Sequence, residues 1–274
     1  MPIDFNQHVI DEFRANAGRV GGPFEGGRLL LLTTTGARTG ARHTTPLGYL
    51  PDGGARVIVI ASAAGAPRHP AWYHNLVANP RVTVEDGTFT YEADAVVLEG
   101  AERDEIFARA AEADPGWAEY QAKTTRILPV VALKAVDGGP PQGRPGDALK
   151  AVHDAFRREL ELVRKEVADS GPGLGAQLRI NCLTLCQGLE HHHAMEDGGV
   201  FPHFERTVPE LAPALARLRE EHRTVKRLLD ELRALLAAPD PGRAVLLAEV
   251  ERLTTELEAH LDYEEEQLVP LLNG

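Results

Sequence analysis

The chain has 274 residues, 43% apolar content, a formal charge of -12 and two cysteines. That length suggests two domains with real cores; the acidity speaks against nucleic-acid binding; and so few cysteines exclude a disulfide scaffold and point to the cytoplasm. No apolar run reaches membrane-spanning length and no signal peptide is read before Asp4, so membrane contact is expected to be peripheral at most, with the oligomeric state left open. The charge is uneven: residues 147–274 hold 15 Lys+Arg against 24 Asp+Glu, and residues 1–146 hold 14 against 17. The N-terminal part is therefore the better home for an anionic ligand.

Along the chain, NQHVIDEFRANAGR (residues 6–19) reads as a short amphipathic helix, either packed on its own domain or touching a membrane surface. Six runs rich in Val, Leu, Ile and Thr follow: Arg28–Thr35, Thr44–Leu50, Arg56–Ser62, Arg81–Val84, Thr88–Leu98 and Leu128–Val136. Helical patterns interrupt them near Pro70–Val77 and Glu102–Glu112, which suggests a barrel or an α+β sheet. After the first run, Gly36 and Gly40 permit close backbone approach while Arg38, Arg42 and several Thr hydroxyls offer donors. This is either an anion cradle or a basic hairpin turn. After Ala61, small residues meet an aromatic-rich helix start at Ala71–Asn75. A flat ring could lie there, or the aromatics simply cap a tight turn. No dinucleotide-binding or P-loop glycine motif is present.

The pieces TTTGARTGARHTTPLGY, ASAAGAPRHPAWYHNLVANP and YQAKTTRILPVVAL keep an order and spacing that resembles the deazaflavin-dependent nitroreductase family, over most of residues 25–136. The resemblance implies a split β-barrel that binds coenzyme F420, a low-potential hydride donor. It assigns Arg38, Thr39 and Gly40, with Thr44, Thr45, Pro46, Leu47, Gly48 and Tyr49, to the cofactor's phosphate and tail; Arg42 joins them as a further donor of the cradle. Ile60, Ala61, Ser62 and Ala63, with Ala71, Trp72, Tyr73, His74 and Asn75, would surround the ring. Trp117 and Tyr120 would line the substrate side, and Ser62 and Tyr120 are candidate donors to developing negative charge. The family usually carries more tyrosines where Asp114 and Trp117 stand, so a quinone-like acceptor suits this chain at least as well as a nitro compound. FMN, common in split barrels, is the alternative cofactor.

Residues 137–146, DGGPPQGRPG, read as a linker between domains at 1–136 and 147–274. Beyond it every pattern is helical, with breaks at Ser170–Gly175, near Thr207–Pro209 and at Ala238–Gly242. Each of four amphipathic stripes carries a histidine where an aliphatic residue belongs: His153, His192, His222 and His260. His192 and Glu196, like His260 and Glu264, are one helical turn apart on one face. A lone stripe histidine is usually a hydrogen-bonded core residue. Four at matching depth with two paired glutamates point to a metal centre, because buried imidazoles and carboxylates are costly unless paired or ligating. Nitrogen donors with carboxylates that can bridge suit two iron ions, with manganese as the alternative. Cys182 and Cys186 share a helix, and their spacing strains any disulfide between them.

The segments VHDAF, LEHHHAMEDGGVFP, REEHRTVKRLL and EAHLDYEEEQLVPLL resemble the hemerythrin-like HHE cation-binding family over roughly residues 147–274. The resemblance implies a non-haem di-iron site with Glu196 and Glu264 bridging and His153, His192, His222 and His260 as terminal ligands. Oxygen carriers of this kind have a second histidine one turn after the one on helix three; here Lys226 stands there, and His193 is the residue that could supply the missing nitrogen. Reaction with oxygen, peroxide or nitric oxide, or iron sensing, is then expected rather than reversible oxygen carriage. The expected protein is a split β-barrel, mainly β with flanking helices, followed by an all-α four-helix bundle. A non-catalytic iron or oxygen sensor is the competing function.

Overall fold

The computed structural model describes residues 3–54, 56–138, 143–170, 174–239 and 241–274. Residues 139–142 of the expected linker, 171–173 of the first helix break and Asp240 of the last break lie outside the described residues. Backbone contacts divide the chain into two compact units, Met1–Pro141 with Gly175–Ile180, and Gln142–Leu174 with Asn181–Gly274.

In the first unit, strands β1 (Leu29–Thr35), β2 (Arg42–Gly48), β3 (Leu50–Pro51), β4 (Arg56–Ile60), β5 (Arg81–Glu85), β6 (Thr90–Val97) and β7 (Val130–Gly138) form one sheet in the order β2-β1-β5-β6-β7-β4-β3. Every neighbouring pair is antiparallel. The run read as a single strand, Thr44–Leu50, is two strands that belong to opposite ends of this order. Only Tyr49 separates β2 from β3. One trans residue spans only a few ångströms, so the two ends of the sheet must come together. That is the physical reason this antiparallel sheet curls round as a split β-barrel.

The four-leucine run of β1 is buried on both faces. Leu30 and Leu32 join the barrel interior with Val59, Trp72, Val84 and Leu133. Leu29 and Leu31 pack outward against Val9, Ile10 and Phe13 of α1 (Ile3–Ala15). Helix α1 is thus packed on its own domain, and its apolar face is spent there. Each such side chain contributes roughly 1.5–3 kcal/mol by leaving water. The remaining helices of this unit are α2 (Ala71–Ala78), α3 (Gly100–Ala113) and α4 (Gly116–Ala122). Helix α4 was invisible to periodicity because two turns are too few to show a stripe. Asp114 starts it by accepting the Gly116 amide at 2.9 Å.

The second unit contains α5 (Pro145–Asp169), α6 (Ala176–Met195) from Asn181 onward, α7 (Phe201–Thr207), α8 (Ala212–Ala237) and α9 (Arg243–Asn273). A five-residue π-helical segment, Glu196–Val200, joins α6 to α7, so four rods make the bundle. The expected stripes are buried: Leu160, Val163 and Val167 on α5, Cys182, Leu185 and Leu189 on α6, Leu215, Leu218, Val225, Leu229 and Leu232 on α8, and Leu246, Val250, Leu253 and Leu257 on α9. Among the described residues, no helix is long and apolar enough to cross a membrane.

Candidate functional sites

In the bundle, seven side chains from four rods converge. Two groups form, His193 with His222 and His260, and His153 with His192, Glu196 and Glu264; within each group one donor atom per residue lies within 4.8 Å of the others. The carboxylates lie between the groups. Glu196 Oε1 is 3.1 Å from His192 Nε2, and its Oε2 is 3.6 Å from His222 Nε2. Glu264 Oε2 is 3.5 Å from His153 Nε2 and 3.7 Å from His260 Nε2. His153 and His192 face each other through Nε2 at 3.2 Å.

The burial of this set is nearly complete, with Glu264 at 0%, His260 at 1% and Glu196 at 3% exposure. Among the described residues, both oxygens of Glu196 and of Glu264 and the Nε2 atoms of His193, His222 and His260 are buried with no hydrogen-bond partner. Such a cluster is costly in a bare protein. Burial pushes the Glu264 carboxyl up to about 8 and holds Glu196 well above the carboxylate range. Burial also pulls His192 down to about 3 and His260 down to about 4, with the neighbouring imidazoles adding to the effect. A pair of cations would supply the charge that these orphaned atoms need, so the residues fit a two-metal group.

The structure brings together every metal candidate read from the sequence, and His193 stands with the three-histidine group. Its signal was available: residue 193 is four after Leu189, so helix α6 can aim both His192 and His193 inward from one turn. Lys226 is exposed, 3.2 Å from Glu190 and 3.3 Å from Asp230, well apart from the centre in character. His191 and His203 are exposed. Cys182 and Cys186 are buried and unbridged.

Sequence reading missed the carboxylates behind the imidazoles. Glu265 lies 3.0 Å from His153 Nδ1, Glu221 lies 3.1 Å from His260 Nδ1, and Asp197 lies 3.1 Å from His222 Nδ1. Asp197 sits off the imidazole N–H axis, so this last pair is an ion-pair contact more than a directed hydrogen bond. It comes from the π-helical turn, whose wider i→i+5 spacing lets consecutive Glu196 and Asp197 both approach the centre. Gly198 and Gly199 add no side chain to that turn.

In the barrel, a cavity of about 560 Å³ is lined by Asn6, Gln7, Ile10 and Arg14 of α1, Arg42, His43, Thr44 and Thr45 of β2, and Ala71, Trp72 and Asn75 of α2. Six of the expected cofactor residues therefore share one cleft. The α1 residues and His43 were not anticipated, because nothing in a helix's own sequence says which cleft its polar face will border. Arg14 is held by Glu85 at 2.6 Å, and Arg42 donates to Thr83 at 2.7 Å.

Other expected residues frame the cleft rather than line it. Arg38, Thr39 and Gly40 form the exposed β1–β2 turn, closed by Gly36 N–H to Ala41 O at 2.7 Å. Asn75 ties that turn to α2: its Oδ1 accepts from the Ala37 amide at 3.1 Å and its Nδ2 donates to Thr34 Oγ1 at 3.1 Å. Pro46 and Gly48 complete β2, while Leu47, Tyr49 and Tyr73 pack against the barrel interior. His74 is exposed on α2.

Ile60, Trp117 and Tyr120 meet in a separate cluster beside α3. Between β4 and α2, Ala61, Ser62 and Ala63 enter a tight turn in which Ala63 and Ala64 take positive φ of 48° and 53°. Two adjacent non-glycine residues there are strained, and such strain is found where surroundings over-determine the backbone. Arg126 is that surrounding. It donates to Ala66 O at 2.8 Å, to Ala61 O at 3.0 Å and to Ser62 O, and approaches His69 Nδ1 at 3.1 Å. Gly65, at φ +80°, lets α4 close in: a Cβ there would sit 2.8 Å from Tyr120 O and 2.7 Å from Lys123 Cβ. The proposed ring side and substrate side are thereby built as one unit.

The F420H(2)-dependent quinone reductase family matches residues 6–135, and the Hemerythrin HHE cation binding domain matches residues 144–272. An F420H(2)-dependent quinone reductase of Mycobacterium tuberculosis (strain ATCC 25618 / H37Rv) is 39% identical over 125 residues, spanning 44% of this chain and 83% of that protein. A solved F420-H2 dependent reductase (FDR-A) is 42% identical over 39% of this chain and 94% of its own, with a TM-score of 0.36. A further solved chain, described as a domain-swapped dimer, is 36% identical over 48% of this chain and 96% of its own, with a TM-score of 0.38. Through its first half the chain belongs to the F420H(2)-dependent quinone reductase family, and its second half matches the hemerythrin HHE cation binding domain.

Proposed function

We propose that residues 1–136 form a domain that transfers hydride from reduced coenzyme F420 to a quinone-like acceptor, and that residues 147–274 form a domain holding two iron ions that bind or react with oxygen, peroxide or nitric oxide. The observation that carries the second part is the set of seven side chains, six of them buried, that gather in two adjoining groups, with orphaned Nε2 atoms on His193, His222 and His260 and orphaned oxygens on both glutamates. Family membership and the half-open cleft beside Arg42 and Trp72 support the first.

When bound, the deazaflavin supplies the hydride and the protein supplies placement, orientation and charge stabilisation. Arg42, with Arg14 and His43 beside it, offers positive charge and donors to an anionic tail. The turn at Ala61–Ala63 and the start of α2 present small residues and the Trp72 ring to a flat group. Trp117 and Tyr120, on α4, exclude water from the acceptor side. In the bundle, His193, His222 and His260 would hold one ion and His153 and His192 the other, with Glu196 and Glu264 shared between them. This set has fewer donors than two six-coordinate ions take, so room is left for an exogenous ligand.

The test is an anaerobic visible-spectrum titration of the iron-loaded chain with reduced F420, followed by a quinone. The proposal expects F420 oxidation on quinone addition and two irons per chain. Negligible turnover with intact iron binding would favour a sensor. Co-purified FMN with no F420 affinity would overturn the cofactor assignment. Bleaching of the iron bands before quinone is added would make the two halves a single electron path.

A further inference from the structure

Two imidazoles of the centre are backed by the same construction, and a third by a looser version of it. His153 Nδ1 meets Glu265 at 3.0 Å, and Arg157 holds that carboxylate at 2.8 Å. His260 Nδ1 meets Glu221 at 3.1 Å, and Arg217 holds it at 2.7 Å. His222 Nδ1 meets Asp197 at 3.1 Å, and Arg219 approaches it at 4.0 Å while binding Glu205 at 2.6 Å. The arginines are anchored on their far sides: Arg157 also binds Asp262 at 2.8 Å, and Arg217 lies 3.6 Å over the Tyr263 ring.

We infer that Glu265 and Glu221, each held by an arginine, and more loosely Asp197 are positioning residues for the metal centre, which set the tautomer and aim of His153 and His260 and bias the aim of His222. A carboxylate is an acceptor only, so the Nδ1 it faces carries the proton and Nε2 keeps its lone pair. The Nε2 atoms of the same three rings point inward to Glu196 or Glu264, as Nε2 of His192 also does. An outer carboxylate of this type raises the basicity of the ligand and limits rotation of its ring. The arginines matter for a second reason. Three extra carboxylates beside two inner glutamates would load the centre with negative charge, and one guanidinium per carboxylate offsets it. The relays are unequal: two serve the three-histidine group and one serves the other, and the Asp197 relay is the loosest.

This inference rests on the two-metal reading, so its test measures metal rather than turnover. The full chain is titrated anaerobically with ferrous iron alone against a competing chelator, giving stoichiometry and affinity for each equivalent. Apo-protein thermal unfolding is followed in parallel. Glu221→Ala is expected to weaken one equivalent and Glu265→Ala the other, each about 10- to 100-fold. Asp197→Ala is expected to weaken the same equivalent as Glu221→Ala, by less. Glu221→Gln and Glu265→Gln keep an acceptor and are expected to recover part of the loss. Arg217→Gln, a change at a half-exposed side chain that touches no imidazole, is expected to weaken the Glu221 equivalent a few-fold with the apo midpoint unchanged. Should an alanine variant fail to fold, the glutamine and arginine variants decide. Affinities within twofold of the unaltered chain, or equal losses at both equivalents that follow the apo midpoint, overturn the inference. If the unaltered chain takes up no iron, the two-metal reading falls, and the inference with it.

Discussion

In the bundle, the groups that converge are buried and largely without partners; in the barrel, the groups around the cleft are half-exposed and already bonded to one another. Among the described residues, the inward atoms of Glu264 and His260 have no hydrogen-bond partner. By contrast Asn75 is tied to Thr34 and Ala37, Thr33 to Thr44 at 2.8 Å, and Arg42 to Thr83. The difference teaches how each site is prepared for its ligand. A dry set of orphaned donors is costly until cations arrive, so metal binding and folding are expected to be coupled. A satisfied, partly hydrated cleft is already ordered and gains affinity from what a ligand adds to its margins.

The sharpest way to break this contrast is Glu264→Leu. It is expected to take iron from two per chain to below one, measured by elemental analysis. The metal-free variant is expected to unfold at or above the temperature of the unaltered apo-protein, by an amount equivalent to about 1–4 kcal/mol, because an apolar side chain replaces a buried unpaired carboxyl. A less stable apo variant would show that Glu264 is satisfied without metal.

Ligand addition gives the next largest effect. Iron at 100-fold its dissociation constant is expected to stabilise the bundle by about 2.7 kcal/mol, and F420 is expected to do the same for the barrel. Calorimetry of the full chain with each ligand alone checks whether the two effects fall on different transitions.

On the barrel side, Arg126→Ala leaves the carbonyls of Ala61, Ser62 and Ala66 without their shared donor. A destabilisation of roughly 1–3 kcal/mol is expected, since these carbonyls are only partly shielded. F420 affinity, read by fluorescence, is expected to fall further than that of a surface variant of equal stability. An unchanged affinity would separate the strained turn from the cofactor.

Arg42→Gln removes an exposed charge and is expected to leave the fold intact. F420 affinity is expected to fall about tenfold at low salt and by less at high salt, because exposed charge interactions are screened. The smallest effect belongs to Cys186, whose thiol burial pushes up to about 11. The neutral thiol dominates below that value, so iodoacetamide at pH 8 is expected to leave it unlabelled in the native chain. Rapid labelling would reopen a redox role for the Cys182–Cys186 pair.

Much of the bundle was legible because a helix repeats itself. His153, His192, Glu196, His222, His260 and Glu264 fall on the same 3.6-residue stripes as the leucines that bury them, so one-dimensional spacing already carries their shared face. Glu265, Glu221 and Asp197 were not legible. They stand beside the stripe in runs of acidic residues that look like solvated faces, and only the imidazole of another helix gives each one its meaning. The π-helical turn at Glu196–Val200 was equally hidden, since no residue pattern announces an i→i+5 turn.

The barrel shows the same division with less in its favour. The sequence by itself determined that the leucine run of β1 is a strand, that strands with Gly-bounded turns make the first half, and that YQAKTTRILPVVAL belongs beside ASAAGAP in one family's order. It also put four histidines and two glutamates on the inner stripes of the bundle and offered His193 as a further candidate. Only the tertiary structure decided that β2 and β3 lie at opposite ends of the strand order with a single residue between them, that α1 borders the cleft, and that Arg126 holds a strained turn from about sixty residues away. The reason is physical. Periodicity and turn chemistry are properties of neighbours in the chain, whereas closure, clefts and the partners of buried polar atoms arise from groups far apart in sequence that packing brings together.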